Sequence, residues 1–178
     1  MTFTAEALIV TDMQQGFLDG HAAVPDAAGL TAVVSDLLNR ARRAGALIVH
    51  LQNDGPVGEP DEPGKPGWEL VLAEPGEPVI RKTDDDGFEG TTLGSLLEEH
   101  EVKQLVICGL LSEMCVSATA RTALWKEYAV ALPRNAHATY DLDDIPAAVV
   151  ARVAEHALGD EIQLPHSAAD VRFTAPPK

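Results

Sequence analysis

Two stretches of this chain, Ala7-Leu8-Ile9-Val10 and Leu105-Val106-Ile107-Cys108, are apolar at every position rather than at every second one. A half-exposed strand alternates. An unbroken run bounded by polar residues instead predicts a strand covered on both faces, the condition of a parallel sheet with crossover helices. The rest of the pattern agrees. Residues 26–44 place Leu30, Val33, Val34, Leu37, Leu38 and Ala41 at helical spacing, with Gly45 as the stop. Further strands are predicted at 46–51, 78–82, 103–109, 128–132 and 161–164, and helices at 92–101, 112–127 and 145–158. Eight of the thirteen residues from 55 to 67 are Gly or Pro, which makes that stretch a loop. Strands alternating with helices define the α/β class, as a three-layer α/β/α sandwich on a parallel, Rossmann-like sheet. The 178 residues, 1–178, read as a single domain.

Composition narrows the partners. Twenty-eight acidic against thirteen basic side chains give a net charge of −15. Such a surface repels phosphate backbones and anionic lipid, so no nucleic-acid or membrane partner is expected, and a cationic small molecule is favoured. The longest apolar run, residues 105–111, is far short of the ~20 residues of a membrane span. The first basic side chain is Arg40, so no positively charged leader start is expected. The two cysteines, Cys108 and Cys115, are too close on adjoining elements to form a useful staple, and a reducing cytoplasm is the plain reading.

In open parallel sheets the site lies at the carboxyl ends of the strands. Asp12, Lys82 and Cys115, an acid, a base and a nucleophile, each follow such a strand end. Ser112 is a natural N-cap, which would put Cys115 in the first turn of a helix, where free N–H groups and the macrodipole favour a thiolate. Each residue alone has a plainer reading: Asp12 as a turn cap, Lys82 as a solvated edge lysine, Cys115 as a small buried hydrophobe like Cys108. Together they make nucleophile, base and orienter, with a lysine in place of imidazole.

Three blocks carry a specific resemblance. Ala7-Leu8-Ile9-Val10-Thr11-Asp12-Met13-Gln14, then Lys82 followed by Phe88-Glu89-Gly90-Thr91-Thr92-Leu93, then Gly109-Leu110-Leu111-Ser112-Glu113-Met114-Cys115-Val116 resemble, in order, the isochorismatase-like cysteine hydrolases. The resemblance implies a six-stranded parallel sheet, the triad Asp12, Lys82 and Cys115, and a cis peptide at Leu110–Leu111. It also implies an oxyanion hole from the backbone N–H groups of Leu111 and Cys115, and a homodimer or homotetramer. Nicotinamidases of this family hold a metal with an Asp and several His after the second strand. Here that stretch reads His50-Leu51-Gln52-Asn53-Asp54-Gly55, so no metal and no cofactor are expected. The same stretch, with the Gly/Pro loop and Trp68, resembles a subgroup that includes a streptothricin hydrolase, which opens a lactam in a polycationic antibiotic.

The expected activity is therefore hydrolysis of an amide or lactam C–N bond through a Cys115 thioester. Its rivals are a vinyl-ether hydrolysis driven by Asp12 without covalent catalysis, a non-catalytic binding member of the family, and a redox-sensing thiol. Gln14, Phe17, Trp68 and Phe88 are candidate substrate-binding residues, Gln14 also as a group that orients Asp12. Asp84-Asp85-Asp86 reads either as a solvated loop or as a mouth for a cation. His50 reads as a satisfied structural histidine, and Asp141, Asp143 and Asp144 as helix-entry residues.

Overall fold

Ala7–Thr11 is buried at all five positions, as its unbroken apolar run predicts, and it lies at the centre of a parallel sheet. The computed structural model describes residues 2–178. In chain order these form β1 (Phe3–Ala5), β2 (Ala7–Thr11), a short α1 (Gln15–Leu18), α2 (Ala27–Ala44), β3 (Leu47–Asn53) and β4 (Val79–Lys82). There follow α3 (Leu93–Glu99), β5 (Gln104–Leu110), a wide turn at Ser112–Val116, α4 (Ser117–Trp125), β6 (Ala129–Ala131), β7 (His137–Ala138), α5 (Ala147–Ala157) and β8 (Val171–Phe173).

The six-stranded sheet runs β4-β3-β2-β5-β6, with β7 also on β5, and every pairing is parallel. Strand order reverses between β2 and β5, and that is where open α/β sheets keep their sites. Alternate residues of β2 feed two cores. Leu8 and Val10 join Leu30, Val34, Leu37, Leu38 and Ala41 of α2 on one face. Ala7 and Ile9 join Leu93 and Leu97 of α3 and Ala120 and Ala123 of α4 on the other. These are the three predicted layers.

The long helix begins and ends where its caps dictate. Asp26 accepts a hydrogen bond from the Gly29 N–H, and Gly45, at φ 69°, returns its N–H to Ala41 and Arg42. Gly109 is needed for another reason: its φ is 114°, and a Cβ there would run into the Thr11 backbone carbonyl. A glycine lets β5 press against β2 at the edge of the site.

Several predicted elements need correction. Residues 161–164 form no strand but a single parallel bridge from Gln163 to Ala131, because the chain turns away at Pro165, which has no N–H to donate. The expected helix over 112–127 is a wide turn followed by α4, broken at Met114 (φ −108°, ψ −107°). Ser112 therefore caps nothing; Leu111 holds that position without a side-chain bond. The β1–β8 pair and β7 carry no apolar run long enough to predict them. Asp141 does accept from the Ala147 N–H at the start of α5, at 2.7 Å. Among the described residues no helix is long and apolar enough to cross a membrane.

Candidate active site

β2, β3 and β4 deliver polar residues to one edge, and the turn after β5 delivers the thiol. Asp12 follows β2 directly, at φ 50°, a left-handed conformation that Asp tolerates better than most residues. Its N–H donates to the Leu51 carbonyl at 3.0 Å, which anchors the bend. Lys82 is the last residue of β4, and its side chain is fully buried. Lys82 Nζ lies 2.9 Å from Asp12 Oδ2 and donates to Asn53 Oδ1 at 3.2 Å, to the Asp84 carbonyl at 3.2 Å and to Cys115 Sγ at 3.3 Å. The structure thus brings the three strand-end residues predicted from sequence into one contact group. The peptide between Leu110 and Leu111 is cis, as the family resemblance implies.

The electrostatics differ from the expectation of a stabilised thiolate. Burial pushes the Cys115 thiol above its ordinary value. The neighbouring Asp12 carboxylate adds to this, and Lys82 offsets only part of it. The thiol also donates to Asp85 Oδ1 at 3.4 Å. A neutral thiol flanked by carboxylates is the resting form. Burial likewise raises Asp12, to about 6 against the opposing Lys82 ammonium. Burial opposes the charge on Lys82, yet Asp12 and Cys115 hold its pKa above the ordinary lysine value. Asp12 Oδ1 is buried with no hydrogen-bond partner among the described residues. A carboxylate with one oxygen on an ammonium and the other uncommitted is placed to take up and return a proton near neutral pH.

The four predicted substrate contacts separate. Gln14 is fully buried, and its amide is spent on the Asn53 and Trp68 carbonyls, both at 3.0 Å, and on the Asn53 N–H at 2.9 Å. It supports the site rather than lining it. Trp68 is half-buried, donates Nε1 to Asp54 Oδ1 at 2.9 Å and carries the Arg81 guanidinium 5.0 Å above its ring. Phe17 packs against the core on the α2 side. Phe88 is not brought to the triad: its ring stacks on Tyr128 at 6.3 Å and lies under Lys126, toward the far end of α4.

Sequence reasoning missed Asn53 and Asp61. Asn53 ends β3 as Lys82 ends β4, directly across the ladder, so the strand-end rule that found Lys82 also points to it. Its Nδ2 donates to Asp61 Oδ2 at 2.6 Å. Asp61 lies in the Gly/Pro loop, where only its burial reveals it. Of the acidic run, Asp84 accepts from the Asp86 N–H, and Asp86 accepts from Phe88 N–H and Thr122 Oγ1. Of the three, Asp85 is the one whose side chain turns to Cys115. His50 is a satisfied structural residue, 2.7 Å from Glu77. Among the described residues no group of three or more His, Cys, Asp or Glu has the arrangement to hold a metal ion.

A parallel α/β sheet with an Asp, Lys and Cys in contact at its switch point corresponds to a known class. The isochorismatase domain model matches residues 6–160, and the chain belongs to the isochorismatase family. It is a hydrolase of the cysteine type. A streptothricin hydrolase from Streptomyces noursei is 54% identical over 97% of this chain and 73% of its own length. A ureidoacrylate amidohydrolase from Variovorax paradoxus is 31% identical over 68% of this chain and 64% of its own. A crystal structure of an isochorismatase from Pseudomonas putida superposes with a TM-score of 0.86 at 30% identity, covering 93% of this chain and 90% of that one.

Proposed function

We propose that this protein hydrolyses the C–N bond of a cationic lactam of the streptothricin type through a thioester on Cys115. The observation that carries the reading is the contact group itself: Lys82 Nζ touches both Asp12 and Cys115, and Asp12 keeps one oxygen uncommitted. The Cys115 S–H proton passes to Asp12 as Sγ bonds to the carbonyl carbon. The carbonyl oxygen becomes an oxyanion that accepts from the Leu111 and Cys115 backbone N–H groups. Asp12 returns the proton to the nitrogen as the C–N bond breaks, which leaves a thioester and an amine. Water then attacks the thioester. Asp12 takes one water proton, the C–S bond breaks, and the proton returns to the sulfur. Lys82 stays protonated throughout and offsets the negative charge that alternates between Asp12 and Sγ.

The substrate class is supported by the 54% identity to a streptothricin hydrolase. The net charge of −15 and the Asp85 carboxylate 3.4 Å from Sγ favour a cation. The test is turnover of streptothricin by the wild type and by Cys115→Ala. The wild type opens the lactam and the alanine variant is inactive. Full turnover by Cys115→Ala would overturn the covalent route, and no turnover by the wild type would overturn the substrate.

A further inference from the structure

The turn that carries Cys115 is not held by regular helix bonds. Within Ser112–Val116 the backbone departs from helix at Met114, and the Met114 and Val116 N–H groups both return to the Leu111 carbonyl, at 3.1 and 3.2 Å. Side chains that the chemistry above does not use pin the rest. Ser112 Oγ lies 2.8 Å from His137 Nδ1 on β7, with Ser112 1% and His137 6% exposed. His137 Nε2 lies 3.4 Å from Glu155 Oε1, an electrostatic approach without hydrogen-bond geometry. Two residues beyond His137, Thr139 Oγ1 donates to Glu113 Oε1 at 2.8 Å. Ser117 Oγ donates to the Ser112 carbonyl at 2.7 Å.

Glu155 is the costly member. It comes from α5, is 2% exposed, and has Arg152 at 2.8 Å and Arg134 at 3.7 Å. Arg152 is itself more than half exposed and would pair as well with a surface glutamate, at no desolvation cost. What burial adds is the approach to His137. A carboxylate charge 3.4 Å from Nε2 favours a proton on that nitrogen electrostatically, even without a formed hydrogen bond, and Nδ1 is then an acceptor for the Ser112 hydroxyl. The order serine, histidine, carboxylate is that of a hydrolytic triad, but Ser112 is 1% exposed and lies outside the contact group of Asp12, Lys82 and Cys115. Its position suggests another use: it follows Leu111, the proposed oxyanion donor, and precedes Cys115 by three residues within the same turn.

We propose that Glu155, His137 and Ser112 form a buried relay that sets the shape of the nucleophile turn, which makes Ser112 and His137 positioning residues for the hydrolysis. The proposal rests on Cys115 being the nucleophile. Without the relay the turn relaxes and Cys115 Sγ leaves its contact with Lys82 Nζ.

The test compares Ser112→Ala, Glu155→Gln and Ser112→Thr with the wild type. One arm measures iodoacetamide alkylation of Cys115 at pH 8 by intact mass, which needs no substrate; Cys108 is fully buried. The other measures kcat and KM on streptothricin. Ser112→Ala and Glu155→Gln should alkylate about tenfold more slowly and lose about ten- to hundredfold in kcat, with KM within about twofold. Ser112→Thr, which keeps the hydroxyl, should stay close to wild type. Wild-type alkylation and kcat in the folded Ser112→Ala and Glu155→Gln proteins, or a loss confined to KM, would overturn the relay. Should Ser112→Ala not fold, the isosteric Glu155→Gln decides by the same readouts. If the wild type leaves streptothricin intact, the substrate is wrong and the alkylation arm still decides the relay.

Discussion

Asp12 and Glu77 are both shielded carboxylates beside a cation, and their pKa values move in opposite directions. Glu77 is held at about 2. Burial alone would raise it, but hydrogen bonds from Arg42, the Glu74 N–H and His50 outweigh that. Arg42 binds it in a fork at 2.8 and 3.1 Å, the Glu74 N–H at 2.9 Å and His50 Nε2 at 2.7 Å. Asp12 has Lys82 at 2.9 Å on one oxygen and no partner on the other, and burial wins, at about 6. The count of donors separates the two. A carboxylate whose lone pairs are filled ties β3 and β4 to α2; one left short of donors keeps a proton within reach of neutral pH.

The largest effect should come from filling that gap chemically. Asp12→Asn keeps the shape but cannot accept a proton, and should lower kcat/KM by about 10²–10⁴. In the wild type the acid limb of kcat/KM should fall near pH 6, because the base form of Asp12 is lost as pH drops through its raised value. A pH–rate profile whose acid limb lay near 4 would remove the contrast with an ordinary carboxylate.

The matching change on the other side, Glu77→Gln, should spare turnover and cost about 1–3 kcal/mol of stability, read by denaturant unfolding at pH 7. The sign follows from a folded value below the unfolded one. The contribution is complete above the ordinary glutamate value of 4.5 and is lost as pH falls toward about 2. The variant should therefore lose less stability than the wild type between those limits. A Glu77→Gln protein with full stability and impaired turnover would reverse the assignment of the two carboxylates.

Asp85 tests how far the site's negative charge selects its substrate. Asp85→Asn should cut kcat/KM for a cationic lactam by about fivefold and leave a neutral amide nearly unchanged, with the cationic effect shrinking in high salt. Equal effects on both substrates would make Asp85 a loop residue without a role in selection.

The contact group of Asp12, Lys82 and Cys115 and the sheet are legible in the sequence because both follow from one rule. An apolar run must be buried, so a charged residue at its end must be used or paired, and Asp12 and Lys82 are. Asn53 obeys the same rule but carries no charge, so nothing in the sequence sets it apart from a surface amide. Ser112 and His137 were hidden for another reason. β7 is two residues long, below the length at which any periodicity can show, and Glu155 sits on a helix whose Val149 and Val153 are exposed. The helix expected at Ser112 does not form there because Ser112 faces His137 instead of the free N–H groups of a first helical turn. The thiolate expectation fails with it, since the burial that raises the thiol, and the carboxylates that add to it, arise from tertiary contacts that spacing does not reveal.

The most direct test of the coupled site is the pH dependence of Cys115 alkylation by iodoacetamide in the wild type, Asp12→Asn and Lys82→Ala. The wild type should titrate above the free-cysteine value of about 8.5, Asp12→Asn lower than wild type, and Lys82→Ala higher still. Three superimposable curves would contradict the account, because Cys115 would then be independent of both of its neighbours.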